Sequence, residues 1–282
     1  MRQTILSLIF ISGLLLSAPC SSQNQSGSPK ETEVAINTTM GKIVVKLYNE
    51  TPKTRDNFLK LVRQEFYDST LFHRVIKEFM IQGGDPASKR APQGTVLGNG
   101  DVGYTVPAEF VPNLIHKKGA IAMARQGDDV NPSKASSGCQ FYIVQGKVFT
   151  NEELDRYEKA ANSGLEQKVF FQILDKPENA EVKRKFTQFQ NEGNIDSLRA
   201  TWLKFQPLTD SIFAKTPHFS FSPEQRNAYT TVGGAPHLDG NYTVFGEVTA
   251  GIEVVDKIAA VPVDGNNRPL TDVRILNMEI VK

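Results

Sequence analysis

Between Gln145 and Gly233 the apolar residues of this chain fall into the 3.6-residue period of helices, while on both flanks they come in short strand-like runs. Within that stretch Leu154, Tyr157 and Ala161 are spaced i, i+3, i+7, and Leu165, Val169 and Ile173 step by four. Val182, Phe186 and Phe189 keep helical spacing, as do Ile195, Leu198, Trp202 and Phe205. Pro177, Pro207, Pro217 and Pro223 punctuate the run. Residues 146–232 therefore predict an inserted α-helical subdomain, several amphipathic helices set inside a β protein. Charges of both signs are mixed along it, which describes a solvated surface and not a basic groove.

The flanks carry the β part. Residues 33–48 alternate apolar and polar around Met40-Gly41, the pattern of a hairpin. Thr51 and Pro52 then stand where an N-cap and an N1 residue belong, and Phe58, Leu61, Val62 and Phe66 follow on one helical stripe. TLFHRVI, FMIQGG, GAIAMA and CQFYIVQ read as strands, and the Gly-, Pro- and Asn-rich stretch from Gly83 to Tyr104 as a long loop. Beyond the insert, YTVFGEV is a strand, GIEVVDKIAAV a helix and TDVRILNMEIVK a closing strand. Many short strands with two helices favour an antiparallel barrel over a parallel sheet.

The first 19 residues read as a signal peptide: Arg2, then an apolar run from Ile5 to Leu16, too short to span a bilayer. Leu16-Ser17-Ala18-Pro19-Cys20 resembles a bacterial lipoprotein signal, although Pro19 and the early leucine depart from its usual form. That resemblance implies a lipidated Cys20, export to a bacterial periplasm or cell envelope, and membrane attachment through the lipid. Residues 20–33 are polar and turn-forming, a flexible tether.

Composition narrows the chemistry. With 32 Lys+Arg against 31 Asp+Glu the net charge is +1, which argues against a protein that coats nucleic acid. Two cysteines exclude a disulfide-rich scaffold and an all-cysteine zinc site; Cys139, in an apolar stretch, reads as a buried thiol. The four histidines show no HExxH or other close ligand spacing, so no metal is expected. Neither a GxSxG nor a Walker loop is present.

Three ordered segments remain: FHRVIKEFMIQGGD at Phe72–Asp85, SSGCQFYIV at Ser136–Val144 and HLDGNYTVFGEV at His237–Val248. Together they resemble the cyclophilin family of peptidyl-prolyl cis–trans isomerases, with the helix from Thr51, GAIAMA and GIEVVDKI matching in the same order. The resemblance covers residues 34–145 and 233–282, interrupted by 146–232. It implies a mainly β fold, a closed eight-stranded antiparallel barrel capped by two helices. Arg74 is then the catalytic guanidinium, and Gln82, the second catalytic residue, a hydrogen-bonding group beside Phe79 and Met80. Phe79, Met80, Tyr142, where the family usually has phenylalanine, and Leu238 line an apolar pocket. Ala124 and Arg125 meet the substrate backbone, with Gln140 and His237 at the rim and Tyr242 where many eukaryotic members carry a pocket histidine. No cofactor is implied. The partners are proline-containing polypeptides, and nucleic acid is not among them. Because His237 stands where many eukaryotic members have tryptophan, cyclosporin binding is expected to be weak.

These residue types suit the reaction. Peptide rotation faces a barrier near ~18–20 kcal/mol because the amide is conjugated. No covalent bond is made or broken, so a catalyst needs only to hold the twisted amide better than either planar form. The competing expectation is a proline-peptide-binding module or chaperone whose main interaction surface is the helical insert. An intact Arg74, Gln82 and Gln140 favours the enzyme.

Overall fold

The computed structural model describes residues 30–281. The signal-peptide reading, the lipidated Cys20 and the first part of the tether lie outside the described residues. The chain opens with β1 (Glu33–Thr38), β2 (Gly41–Leu47) and α1 (Pro52–Arg63), followed by β3 (Arg74–Ile76), β4 (Met80–Gly83) and β5 (Thr105–Val106). Next come β6 (Ala120–Met123), β7 (Ser136–Ser137) and β8 (Phe141–Val144). The insert holds α2 (Asn151–Leu174), α3 (Ala180–Glu192), α4 (Ile195–Phe213) and α5 (Pro223–Thr231). The chain closes with β9 (Val244–Ala250), α6 (Ile252–Ala259) and β10 (Ile275–Ile280).

Eight strands form one curled antiparallel sheet in the order β10-β1-β2-β9-β6-β8-β4-β3. Strands from before and after the insert are neighbours, β2 with β9 and β9 with β6, so the two flanks build one sheet. The closed barrel expected from the sequence is not formed as a continuous ladder. At the β3–β10 edges the chain makes one isolated bridge, Leu71 to Arg274, with Phe72 N–H donating to Val273 O and Ile275 N–H to Thr70 O. The physical reason is β3, only three residues long, which leaves few main-chain groups to pair with a longer partner.

Period-two alternation sorts the side chains. Ile81, Ile121, Phe141, Ile143 and Phe245 point into the main core, where the apolar stripes of α1 and α6 also bury. Their strand neighbours Met80, Ala122, Tyr142 and Val244 point to the other face and join a second, smaller cluster with Leu238. That outer cluster is the foundation of the site. Cys139 sits fully buried in the main core as a free thiol, and burial raises it to about 11, so it is chemically quiet.

One local reading holds with a difference and one needs correction. Thr51 is the N-cap of α1, but its side chain makes no capping bond. Glu109 replaces it: its carboxylate accepts from the N–H of Lys53 and of Thr54, at 3.1 and 2.8 Å. A carboxylate there also suits the positive end of the helix. Pro207 does not punctuate the insert; it lies inside α4. Pro207 and Leu203 are both exposed, so water can reach the Leu203 carbonyl that the proline leaves unbonded.

The insert's helices are locally specified. Capping boxes start α2 (Thr150 with Glu153) and α5 (Ser222 with Gln225), and left-handed Gly193 ends α3. Its apolar residues bury in two groups. Phe170, Leu174 and Phe186 pack with Trp202 and Phe205 between α2, α3 and α4. Leu154, Phe221 and Tyr229 pack with Ile115 and Phe149, which places α5 and the start of α2 against the β part.

Candidate active site

The site grows from one row of cross-strand neighbours. Arg74 of β3 pairs with Gln82 of β4, Gln82 with Tyr142 of β8, and Tyr142 with Ala122 of β6. Alternation puts all four on the outer face of the sheet. Arg74 and Gln82 are half-buried and Tyr142 is buried. Beside the row lies a cavity of about 310 Å³. The candidates Arg74, Phe79, Met80, Gln82, Ala124 and Arg125 line it, and so do Tyr142, Leu238 and Tyr242. Gln140 lines an adjoining cavity that shares Gln82, Ala124 and Arg125 with the first. His237 lies outside both linings; its ring packs 5.2 Å from that of Phe79, at the rim.

An amide relay orients the guanidinium. Gln140 Nε2 donates to the carbonyls of Gly98 and Gly100, at 2.9 and 2.7 Å. Its Oε1 must then face Gln82, which donates through Nε2 at 3.0 Å. Gln82 Oε1 is left to accept from Arg74 Nη1 at 3.1 Å. Carbonyls at one end thus settle both amide orientations, and an acceptor arrives at the arginine.

Arg125 and Ala124 do different work from a free side chain. Arg125 Nε donates to Asn241 O at 2.7 Å, its Nη1 meets Asp128 at 2.6 Å, and its guanidinium lies 4.6 Å over the Tyr242 ring. It clamps Tyr242 onto the pocket floor. Both main-chain groups of Ala124 are engaged, its N–H with Gln140 O and its C=O with Ser137 N–H.

Sequence reading missed one wall. Leu97, Gly98 and Asn99 line the cavity, and they come from the stretch read only as a loop. Asp85 organises it. Fully buried, its carboxylate accepts from Ala87 N–H at 2.7 Å, Gly98 N–H at 2.6 Å and Gly100 N–H at 3.4 Å. The turn that delivers Asp85 needs glycine: Gly84 has φ +88, and a β-carbon there would collide with the Cys139 carbonyl. An acid directly after a Gly-Gly pair was the available signal, but two of its three partners, Gly98 and Gly100, lie more than ten residues on.

His73 was also missed. It lines the cavity next to Arg74, and burial drives it down to about 4, with the positive charges of Arg74 and Arg268 adding and Asp85 opposing. Above about pH 6.5 both folded and unfolded chains hold this imidazole neutral. Below that the unfolded chain takes up a proton that the folded one refuses. Stability is expected to fall by roughly 3 kcal/mol between pH 6.5 and 4 on this account alone. His73→Gln removes that slope. Urea unfolding at several pH values should show wild type losing ground to the variant as pH drops; parallel curves would exclude the assignment.

Among the described residues no group of three or more His, Cys, Asp or Glu could hold a metal ion. What the geometry offers is a cavity whose lining sets the apolar Phe79, Met80, Tyr142 and Leu238 beside the oriented guanidinium of Arg74.

Comparison with known proteins agrees with this arrangement. Residues 33–197 and 224–280 match the family described as cyclophilin type peptidyl-prolyl cis-trans isomerase. A Streptococcus pyogenes protein named as a bifunctional phosphatase/peptidyl-prolyl cis-trans isomerase is 30% identical over 264 residues, 92% of this chain but 40% of that protein. The peptidyl-prolyl cis-trans isomerase-like 1 of Neurospora crassa is 28% identical over 254 residues, 89% of this chain and 95% of that one. A Staphylococcus aureus protein named for the same activity is 29% identical, covering 91% and 95%. In fold, the crystal structure of a Cryptosporidium parvum cyclophilin type isomerase superposes with a TM-score of 0.52 at 20% identity, over 89% of this chain and 98% of that one. With the family match spanning most of the chain, including residues 146–197 of the insert, this protein belongs to the cyclophilin-type peptidyl-prolyl cis–trans isomerases.

Proposed function

We propose that the chain accelerates cis–trans isomerisation of X–Pro bonds in unfolded or exported polypeptides, the reaction for which its family is named. The observation that carries this is the Arg74–Gln82–Gln140 relay beside the Phe79, Met80, Tyr142 and Leu238 slot. The slot grips the proline ring while the preceding carbonyl turns. As conjugation is lost, the prolyl nitrogen gains a lone pair, and Arg74 donates to it. One charged hydrogen bond of this kind contributes roughly 1.5–3 kcal/mol, about one to two powers of ten in rate. Gln82 acts by holding the guanidinium. Turnover of a chromogenic X–Pro peptide by the chelator-treated protein tests the reading; a rate equal to the uncatalysed exchange would end it.

The finer readings go with it. The sheet works as a closed barrel, joined at the β3–β10 seam by the bridge and hydrogen bonds described above. Residues 34–145 and 233–282 make the isomerase domain, with 146–232 as its insertion. Residues 1–19 serve as a signal peptide, and lipidated Cys20 anchors the protein in the periplasm or cell envelope. Mass spectrometry of the native N-terminus tests this, and a start other than modified Cys20 would refute it.

Cyclosporin is expected to bind weakly, because the small His237 ring, held against Phe79, offers less apolar area than an indole. His237→Trp should tighten binding several-fold in a calorimetric titration. Nanomolar affinity of the unaltered protein would contradict this.

A further inference from the structure

A second, fully polar chain runs from the pocket floor into the insert. The Tyr142 hydroxyl lies 2.9 Å from His116 Nε2, and His116 is completely buried. His116 Nδ1 lies 2.8 Å from Asp239 Oδ1, which also accepts from the main-chain N–H of His116 at 2.9 Å. The other carboxylate oxygen, Oδ2, accepts from the Tyr229 hydroxyl at 2.5 Å. Tyr229 belongs to α5, at the end of the insert, and is itself completely buried.

The bond directions follow from chemistry. A carboxylate only accepts, so Nδ1 of His116 carries the proton that faces it. In the neutral tautomer this leaves the opposite nitrogen to accept from the Tyr142 hydroxyl. Burial raises both tyrosines well above their ordinary range, so both hydroxyls remain donors.

The chain grips the floor of the pocket. Asp239 sits one residue after Leu238 and three before Tyr242, both of which line the cavity. The Tyr242 ring packs edge-on against that of Tyr142, 6.0 Å away. The anchorage continues in the main chain: Ala235 N–H donates to His116 O, and Gly234 N–H to Lys147 O. Gly234 leaves no room for a β-carbon, which would collide with the His116 carbonyl and the Tyr229 ring. Helix α5 is thus seated against the segment that forms the floor. None of these residues takes part in the Arg74–Gln82–Gln140 relay.

We propose that Tyr229 of the inserted helix α5 is a positioning residue for isomerisation, holding the Tyr142 ring and the Leu238–Tyr242 floor through Asp239 and His116. This rests on the isomerase reading. Because the relay holds the slot and not the guanidinium, loosening it weakens the grip on proline in ground and transition states alike. The signature of that is a raised KM with kcat preserved. A purely structural tie would lower Tm and leave the kinetics of the folded protein alone.

The test uses the full chain, with Tyr229→Phe, Tyr142→Phe and the double variant assayed on one X–Pro peptide well below each Tm. Tyr229→Phe keeps the ring and removes only the hydroxyl. It is expected to raise KM about three- to tenfold with kcat within about twofold. The two tyrosines do not touch, so unlinked losses would multiply; a shared relay makes the double variant no worse than the weaker single. Wild-type KM in Tyr229→Phe, whatever its Tm, or multiplying losses, would overturn the proposal. If Tyr229→Phe does not fold, Asp239→Asn strikes the same relay at its centre, and a wild-type KM there is equally fatal. The Kd of the same peptide is measured alongside. Should the unaltered protein bind without turning over, the isomerase reading fails while the Kd values still decide the relay.

Discussion

Arg74→Ala is expected to lower kcat/KM for an X–Pro peptide about tenfold or more, with Tm nearly unmoved. The split follows from its surroundings. Arg74 is half-buried on the outer face of β3 and gives one hydrogen bond, to Gln82, inside the protein. Among the described residues it forms no ion pair, so its charge is left to face a ligand. Removing it therefore costs the reaction more than the fold. Arg74→Lys keeps a positive charge but loses the planar fork that Gln82 orients, and it should fall between the two. Equal kcat/KM in Ala variant and wild type would remove Arg74 from the mechanism.

Asp85→Ala is expected to have the largest effect on stability. Three main-chain N–H groups around the loop, those of Ala87, Gly98 and Gly100, converge on this one buried carboxylate. Truncation removes the acceptor they share; exposed Ala87 can turn to water, while Gly98 and Gly100 are half-buried. At roughly 1–3 kcal/mol for each donor left unsatisfied, the two glycine N–H groups give a loss on the order of 2–6 kcal/mol. Catalysis should suffer with it, because the loop held by Asp85 supplies both the Leu97–Asn99 wall and the carbonyls that orient Gln140. Urea unfolding and peptide kinetics on the same preparation read both effects. A variant that keeps its unfolding midpoint would show that water replaces the carboxylate.

The two experiments separate two kinds of site residue. Arg74, Phe79 and Gln82 could be named from a run of neighbouring residues, because one short hairpin, its two strands and its turn, carries them. Tyr142 and Leu238 were legible through their motifs, although nothing local said that the insert's ends would lie side by side. Asp85, His73 and the Leu97–Asn99 wall were not assigned roles. The work of Asp85 is defined by N–H groups brought back to it by a folded loop, and loop closure has no periodicity to read. Glu109 illustrates the same limit: the acid that caps α1 lies more than fifty residues away, while the adjacent Thr51 side chain makes no capping bond.

Local alternation, helical period and turn residues were enough to determine most of the strands, the two capping helices and the helical nature of 146–232, while three ordered motifs carried the resemblance to the family. Those signals act over a few residues, where backbone geometry alone decides which side chains share a face. Only the tertiary structure decided that the sheet edges meet through a bridge instead of a ladder, that Arg125 clamps Tyr242, and that Tyr229 reaches Tyr142 through His116 and Asp239. Each of these depends on groups far apart in the chain, joined because a buried polar atom must find a partner wherever the packing puts one.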